Sequence, residues 1–530
     1  MHYVVGSGPS GVACAQALLD KGLSVTLLDA GIQLEDSKTQ LVKKLSATPP
    51  SGWDSESTAA LKGGMAPAAK GLPEKLVFGS DFPYRDADTH VPASYEGVGL
   101  RPSFALGGLS NVWGAALMPY ARSDLREWPI SAAQLAPHYS AVLNITGISA
   151  RKDNLNAAFP LYTKEFGQLN LSRQSRSLLE HMEKHETSLK KQGIHFGTAR
   201  VAIRAQTPHS QSGCVYCGMC MYGCPYGYIY NSASTVRALQ KNNRFTYQPD
   251  TVVHRIVEYP DHVGIQARSR ISGQDISIEA NRVYLAAGTI PTTRLLLDSR
   301  GCYNRALKIQ DSQYFLIPLL LRKRVSDVQK EALYALSQFF IEIFDDRISP
   351  NPVHLQVYSY NEFIGAAIRK SLARFGLNFN FLARQFEQRM LIVQGFLHSN
   401  LSSSMNATLT AGPNGAASRL VLECDINPST RKSVGKVISK LLHNTLSLGA
   451  LPLTPMLEVG EPGRSFHSGG SFPMREQPGE FETDTLGRPF GWKRVHAVDA
   501  TVLPTIPANT VTLSVMANAH RIATQSADLS

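Results

Sequence analysis

Four cysteines fall within eleven residues, in the run Gly213-Cys214-Val215-Tyr216-Cys217-Gly218-Met219-Cys220-Met221-Tyr222-Gly223-Cys224-Pro225. The spacing is C-x2-C-x2-C-x3-C-P, the run with which bacterial ferredoxins hold an iron–sulfur cubane. Closely spaced thiolates can wrap such a cluster if the loop curls around it, and Gly218 and Gly223 permit that turn. Zinc is a poorer match, because structural zinc sites usually draw on two separated cysteine pairs. Cys214, Cys217, Cys220 and Cys224 are therefore the expected ligands of a 4Fe–4S cluster. In two-cluster ferredoxins the fourth cysteine serves the other cluster, and no second run exists here. Three alternatives stay open. Cys224 closes the site in an altered local geometry, a distant Cys302 or Cys424 completes it, or a 3Fe–4S cluster needs only three thiolates.

The other chemistry-bearing pattern lies at the start. Val4-Val5 leads into Gly6-Ser7-Gly8-Pro9-Ser10-Gly11, a helix-like run follows, and a second apolar run, Leu23–Leu28, ends at Asp29. Gly6 permits the tight turn, Gly8 lets backbone approach a pyrophosphate, and Gly11 lets helix and strand pack closely. A diphosphate then rests on the helix N-terminus, where unpaired N–H groups favour an anion. Asp29 is placed to accept from ribose hydroxyls. The motif specifies a dinucleotide without separating FAD from NAD.

The 530 residues are too many for one simple core, so two closely packed domains are expected. A hydrophobic fraction of 43% and a charged fraction of 18% exclude a disordered chain. The net charge is 53 − 42 = +11, and its tightest group is Arg322-Lys323-Arg324. A nucleic-acid footprint would be a longer basic stripe interleaved with aromatics, so no nucleic acid is expected. A solvated basic surface is the plain reading, and an acidic substrate or anionic membrane surface the sharper one. No apolar run is long enough to span a bilayer. Met1–Val5 already reads as a strand in place of a secretory leader, which points to the cytoplasm, or to a membrane only through a partner. Clustered cysteines without a leader argue for metal over disulfides.

Four later segments resemble the glucose–methanol–choline (GMC) flavoprotein oxidoreductases. They are Leu106–Gly114, with Gly107, Gly108, Asn111, Trp113 and Gly114; Val252–Ile256, with Val253 at the position near the adenine; Val283–Gly288, with Ala287 and Gly288; and Val498–Thr512, with Asp499, Ala500, Asn509 and Thr510. The resemblance implies that the dinucleotide is FAD and that these residues lie around it. Phe466–Met474 is similar to the segment carrying the family's catalytic histidine, which makes His467 the expected base, with Ser471 where the family more often has Thr. Asn509 matches the second active-site position, a His or an Asn in the family. A histidine near neutrality suits removal of a hydroxyl proton while hydride leaves carbon. Most GMC oxidases lack the cysteine run. It resembles a subgroup of sugar or sugar-acid dehydrogenases whose flavin subunit carries an iron–sulfur cluster.

The implied architecture is α/β. A discontinuous Rossmann-like FAD domain takes 1–125, 226–305 and 460–530, and an α+β substrate domain takes 126–225 and 306–459. The expected activity is FAD-dependent oxidation of an alcohol on a carbohydrate-like molecule. Electrons leave through the cluster to an acceptor protein or quinone-linked partner, so a dehydrogenase is expected over an oxidase. The rivals are a flavin reductase or redox isomerase fed by the cluster, and an electron-transfer flavoprotein subunit. Residues 31–75 and 400–418 read largely as loops or a lid. Ile364–Ile392 carries Ile368, Leu372 and Phe375 at helical spacing beside Arg369, Lys370, Arg374, Arg384 and Arg389. This reads as a basic amphipathic helix on its own domain, with peripheral membrane or partner contact as the alternative.

Overall fold

A computed structural model describes residues 1–63, 74–207, 210–362, 364–366, 369, 380–412 and 418–528. Its centre is a five-stranded parallel sheet in the order Val495–Ala497, Arg282–Leu285, His2–Val5, Val25–Leu28, Phe245–Gln248. Parallel sheets are covered on both faces, which is why the strands read as unbroken apolar runs. Val4, Val25, Leu27, Leu28, Val283 and Leu285 are buried. The helix Pro9–Asp20 starts directly after the glycine turn and packs on the C-terminal helix Thr512–Ala527. A three-stranded antiparallel meander over Thr251–Ala280 lies beside this sheet.

A second sheet has seven strands. Six run in the order Ala450–Pro452, Tyr314–Leu321, Met390–Phe396, Ser349–Tyr358, Phe339–Asp345, Ile194–Thr198, and Glu458–Val459 pairs with Tyr314–Leu321. Side chains alternate between its faces. Phe315, Phe339, Ile341, Leu355, Val357 and Val393 bury against the helices Arg173–Lys184 and Ser429–His443. The alternate positions Glu342, His354, Gln356, Tyr358 and Phe396 fall on the opposite face. A third sheet, in the order Ser468–Gly469, Ala306–Asp311, Ser404–Thr410, Arg419–Asp425, Ala93–Glu96, carries the His467 segment at its edge. The architecture is α/β with a Rossmann-like sheet, as expected.

Three local expectations change. Residues 31–75 hold the helices Asp36–Ser46 and Ser55–Lys62, the second capped by Asp54 accepting from Ser57 N at 2.7 Å. Such a cap is worth about 1 kcal/mol. Their few apolar positions, Leu41, Val42, Leu45 and Leu61, gather around Met219 of the cysteine loop. Within 400–418, Ser404–Thr410 is a strand inside the third sheet, so its Ser and Thr serve strand formation. The helix read over Ile364–Ile392 gives way at its end. Asn380–Glu387 is helical, and Met390–Phe396 is an inner strand. Ile368, Lys370, Leu372, Arg374 and Phe375 lie outside the described residues.

Candidate functional site

Beyond the C-terminal ends of the parallel strands lies a cavity of about 1150 Å³, counting the part open to solvent. Its place at a sheet's carboxyl edge is where such folds bind ligands. Gly6, Gly8, Asp29, Gly108, Val253, Ala287 and Gly288 line it. The three fingerprint glycines act differently. A Cβ on Gly6 would stand 2.5 Å from Ala286 O, and one on Gly11 only 1.9 Å from Gly6 O. A Cβ on Gly8 would meet nothing within 4 Å, because that residue opens onto the cavity at the helix N-terminus. Gly8→Val is therefore expected to yield a folded chain with less than a tenth of its flavin, read as absorbance against circular dichroism. Bound flavin at the normal level would show that no phosphate sits over Gly8.

Asp29 accepts from Ser7 Oγ at 2.7 Å and Tyr247 OH at 3.1 Å, and burial raises its carboxyl to about 7. Ser7 Oγ also accepts from Gly107 N at 2.9 Å, which joins the fingerprint to the second glycine loop. Gly11, Gly107, Asn111, Trp113, Gly114, Asp499, Ala500 and Thr510 stand outside this lining and hold its frame. Asn111 Nδ2 donates to Leu106 O and Gly108 O, and its Oδ1 accepts from Asn231 Nδ2. Asp499 accepts from Gly288 N and Thr501 N. Ala500 O accepts from Gly470 N, and Thr510 Oγ1 from Met118 N. Gly114 is exposed, with Tyr358 OH 3.8 Å from where its Cβ would lie. Three cavity residues were not anticipated: His90, Arg101 and Arg294. Arg294 is buried, donates to Ser418 and leaves Nε without a protein partner, so it is suited to an anion.

His467 sits in a loop that Asp311 ties at both ends. Ser465 Oγ and Ser468 Oγ donate to Asp311 Oδ1 at 3.1 and 2.7 Å, and Ser312 N donates to His467 O. Phe466, just before the histidine, has φ +58, a conformation L residues rarely adopt. The His467 ring stacks on Phe396 at 4.9 Å, its Nδ1 is buried without a partner, and burial, with His354 facing it, lowers its pKa to about 3. Asn509 donates from Nδ2 to Pro119 O at 2.7 Å, while its buried Oδ1 has no partner. Ala508 shares a small core with Tyr314 and Phe396, so both candidate residues border the same sheet face. On that face His354 and Glu342, both fully buried, pair at 2.5 Å, and Phe396 stacks between His354 and His467. Nothing in sequence had pointed to Asp311, Glu342 or His354. The serine partners of Asp311 are more than 150 residues away, and Glu342 and His354 meet only through strand pairing.

All four cysteines of the run line one small pocket of about 320 Å³, counting the part open to solvent, with Ile203, Tyr226, Tyr228 and Ile229. Cys302 and Cys424 do not line it; Cys302 follows the helix Thr289–Ser299 and Cys424 lies on Arg419–Asp425. Gly218 and Gly223 both take positive φ, as the expected turn requires, and a Cβ on Gly223 would strike the Phe78 ring at 2.7 Å. Two of the sulfurs accept from backbone N–H groups, Cys220 from Ala335 N and Cys224 from Tyr228 N, both at 3.3 Å. Burial first, then the neighbouring thiols, push Cys214 up to about 11 and Cys220 higher still. Among the described residues, no three His, Cys, Asp or Glu side chains converge closely enough to grip a single metal ion. The thiols ring a space and do not meet at a point.

The segment that follows the cysteine loop is bonded to the second glycine loop. Trp113 Nε1 donates to Tyr230 O at 2.9 Å, Ser232 N to Ser110 Oγ at 3.0 Å, and Lys75 Nζ, which faces Cys220, to Trp113 O at 3.2 Å.

Compared with known proteins, residues 100–306 match the GMC oxidoreductase family and residues 4–34 the NAD(P)-binding Rossmann-like domain. A search of curated proteins finds no match for the sequence. Two solved structures share the fold at 14% identity and a TM-score of 0.59, each covering 99% of this chain and 98% of the other. One is pyridoxine 4-oxidase from Mesorbium loti, the other a formate oxidase from Aspergillus oryzae RIB40 described for its FAD modification.

Proposed function

We propose, from the match of residues 100–306 to the GMC oxidoreductase family and the fold shared with two flavoenzymes, that the chain is an FAD-dependent dehydrogenase that oxidises an alcohol of a carbohydrate-like molecule. Cys214, Cys217, Cys220 and Cys224 would hold an iron–sulfur cluster, which would supply a one-electron route to a protein or quinone-linked acceptor. FAD, when bound, supplies the hydride acceptor. His467 takes the hydroxyl proton, being a free base held against Phe396 with a ring nitrogen that lacks a partner. Asn509 orients the hydroxyl through its unpaired Oδ1. Asp311 positions the base by fixing Ser465 and Ser468 on either side of it.

The observation that supports the cluster is the set of four thiols lining one pocket, two of them met by a backbone N–H. Such bonds stabilise thiolates, yet four crowded thiolates repel one another unless positive charge sits between them. Iron ions supply it, and N–H groups directed at sulfur are one of the levers that tune a cluster. The bonds from Trp113, Ser110 and Lys75 place this loop beside the residues that frame the flavin cavity. A second reading, an oxidase that passes electrons to O2, is favoured by the two structural neighbours, whose names are those of oxidases.

The deciding experiment is anaerobic flavin bleaching against a panel of sugars, sugar acids, polyols and sterols, with iron and sulfide content and EPR on the same samples. Bleaching by a polyhydroxylated substrate, followed by a reduced-cluster signal, supports the proposal. Iron-free protein producing stoichiometric peroxide from O2 overturns it in favour of the oxidase.

A further inference from the structure

Ten large hydrophobic side chains among the described residues stand open to solvent, and four of them fall between residues 442 and 456. Leu442, Leu446, Leu451 and Met456 are 39%, 72%, 42% and 37% exposed. They follow one another along the end of the helix Ser429–His443, the short helix Thr445–Leu448, the strand Ala450–Pro452 and the turn Thr454–Met456. That strand is an outer edge of the seven-stranded sheet, and both helices pack on it. The leucines thus sit on a projecting rim and not in a groove.

The charge around them is one-sided. From Ser429 to Leu457 there is no Asp or Glu, while Arg431, Lys432, Lys436 and Lys440 are present. Lys440 is engaged by Asp345, and Lys436 Nζ donates to Arg347 O. Arg431 and Lys432 are exposed on the same helix as Leu442. The strand Tyr314–Leu321 ends against Ala450, and Arg322 N donates to Gly449 O, so the exposed Arg322-Lys323 pair emerges at this rim. Neither side chain has a carboxylate partner among the described residues. From the helix Arg173–Lys184, His181 Nε2 bonds Leu446 O, and Lys184 is exposed. Asp345, which holds Lys440, is an acid beside the helix, and Glu183 and Glu458 lie in the neighbouring segments of the chain.

Aliphatic side chains standing among unpaired cations match a lipid surface: an apolar boundary beneath a layer of phosphates. A protein partner would more often be met by aromatic anchors in pockets, and none of the four exposed residues is aromatic. We propose that this edge docks on an anionic bilayer, with Leu446 and Leu451 entering the headgroup boundary and Arg322, Lys323, Arg431 and Lys432 lying against lipid phosphates. This accounts for the tightest basic group in the sequence, which the catalytic reading leaves unused, and it does not depend on that reading.

The test is co-sedimentation of the full-length, flavin-loaded protein with vesicles of phosphatidylcholine, with and without phosphatidylglycerol, at low and high salt. Retention on the anionic vesicles alone, falling about tenfold as salt screens it, is expected. Two double variants, Leu446→Glu with Leu451→Glu and Arg322→Glu with Lys323→Glu, should each lower retention about tenfold while flavin content and bleaching stay unchanged. Absence of binding to anionic vesicles, equal binding to neutral ones, or retention untouched by both double variants overturns the proposal. A complex with an acidic protein but none with vesicles also overturns it and assigns the edge to a protein partner.

Discussion

Replacing His467 by alanine is expected to slow substrate-driven flavin bleaching by about a thousandfold, the middle of the range for loss of a general base. FAD should stay bound, because the cofactor cavity is lined by Phe466 and Ser468 on either side and not by the imidazole. The loop should persist as well, since Asp311 grips the two serines and Ser312 binds the backbone oxygen of residue 467. The pH profile gives an independent check. Burial first, then His354, lowers the His467 pKa to about 3. Its catalytic form is the free base, so protonation would remove activity only far on the acid side. The kcat/KM profile of the unaltered protein should lack a descending limb near pH 6.5, about where an unperturbed histidine titrates. A limb at that pH that vanishes in His467→Ala would place the residue in water and refute its burial. Unchanged bleaching in the variant would remove it from the chemistry.

Cys220→Ala is expected to separate the two halves of the reaction. Cys220 is the most enclosed of the four thiols, and its sulfur accepts from Ala335 N across a gap of more than a hundred residues. Losing it should empty the site of iron. Turnover with a one-electron acceptor should then drop at least a hundredfold, the upper end of what second-layer changes alone do to metal sites. Flavin bleaching by substrate should stay within about threefold, since His467, Asn509 and the glycine turns are untouched. Equal losses of bleaching and turnover would instead mean that the loop supports the flavin site structurally, through Trp113 and Ser110. Wild-type iron content in the variant would exclude Cys220 as a ligand.

What could be read from sequence follows from how local each demand is. The turn at Gly6, Gly8 and Gly11 needs particular backbone freedom at fixed spacing, so three letters and a following acid reveal it. The cysteine run is equally local, and Cys224, not Cys302 or Cys424, lines the pocket that the other three cysteines share. Asp311 was hidden because its meaning lies in Ser465 and Ser468, more than 150 residues away. Glu342 and His354 were hidden because a strand pattern marks which face a residue takes, not what waits on that face. The helices at 36–62 were obscured by composition. They carry few apolar positions, enough only because Met219 completes their core. Asn111, Asp499 and Thr510 could be placed near the cofactor by resemblance, but only the hydrogen bonds distinguish residues that line the cavity from those that frame it.

The parallel sheet has one more consequence, for the order in which the molecule is made. Its first strand, His2–Val5, lies between Val25–Leu28 and Arg282–Leu285, and the latter pairs in turn with Val495–Ala497. A ribosome must therefore release nearly the whole chain before that platform is complete. Contacts so distant in sequence cost loop-closure entropy before they return any stability, which makes folding slow. The N-terminal strand and its helix wait in a half-finished state for most of synthesis, with an apolar edge unpaired. The helix Pro9–Asp20 gains its neighbour Thr512–Ala527 only at the last moment. Cofactor capture then waits for the helix Thr512–Ala527, and loss of that helix would be felt at Pro9–Asp20, on which it packs.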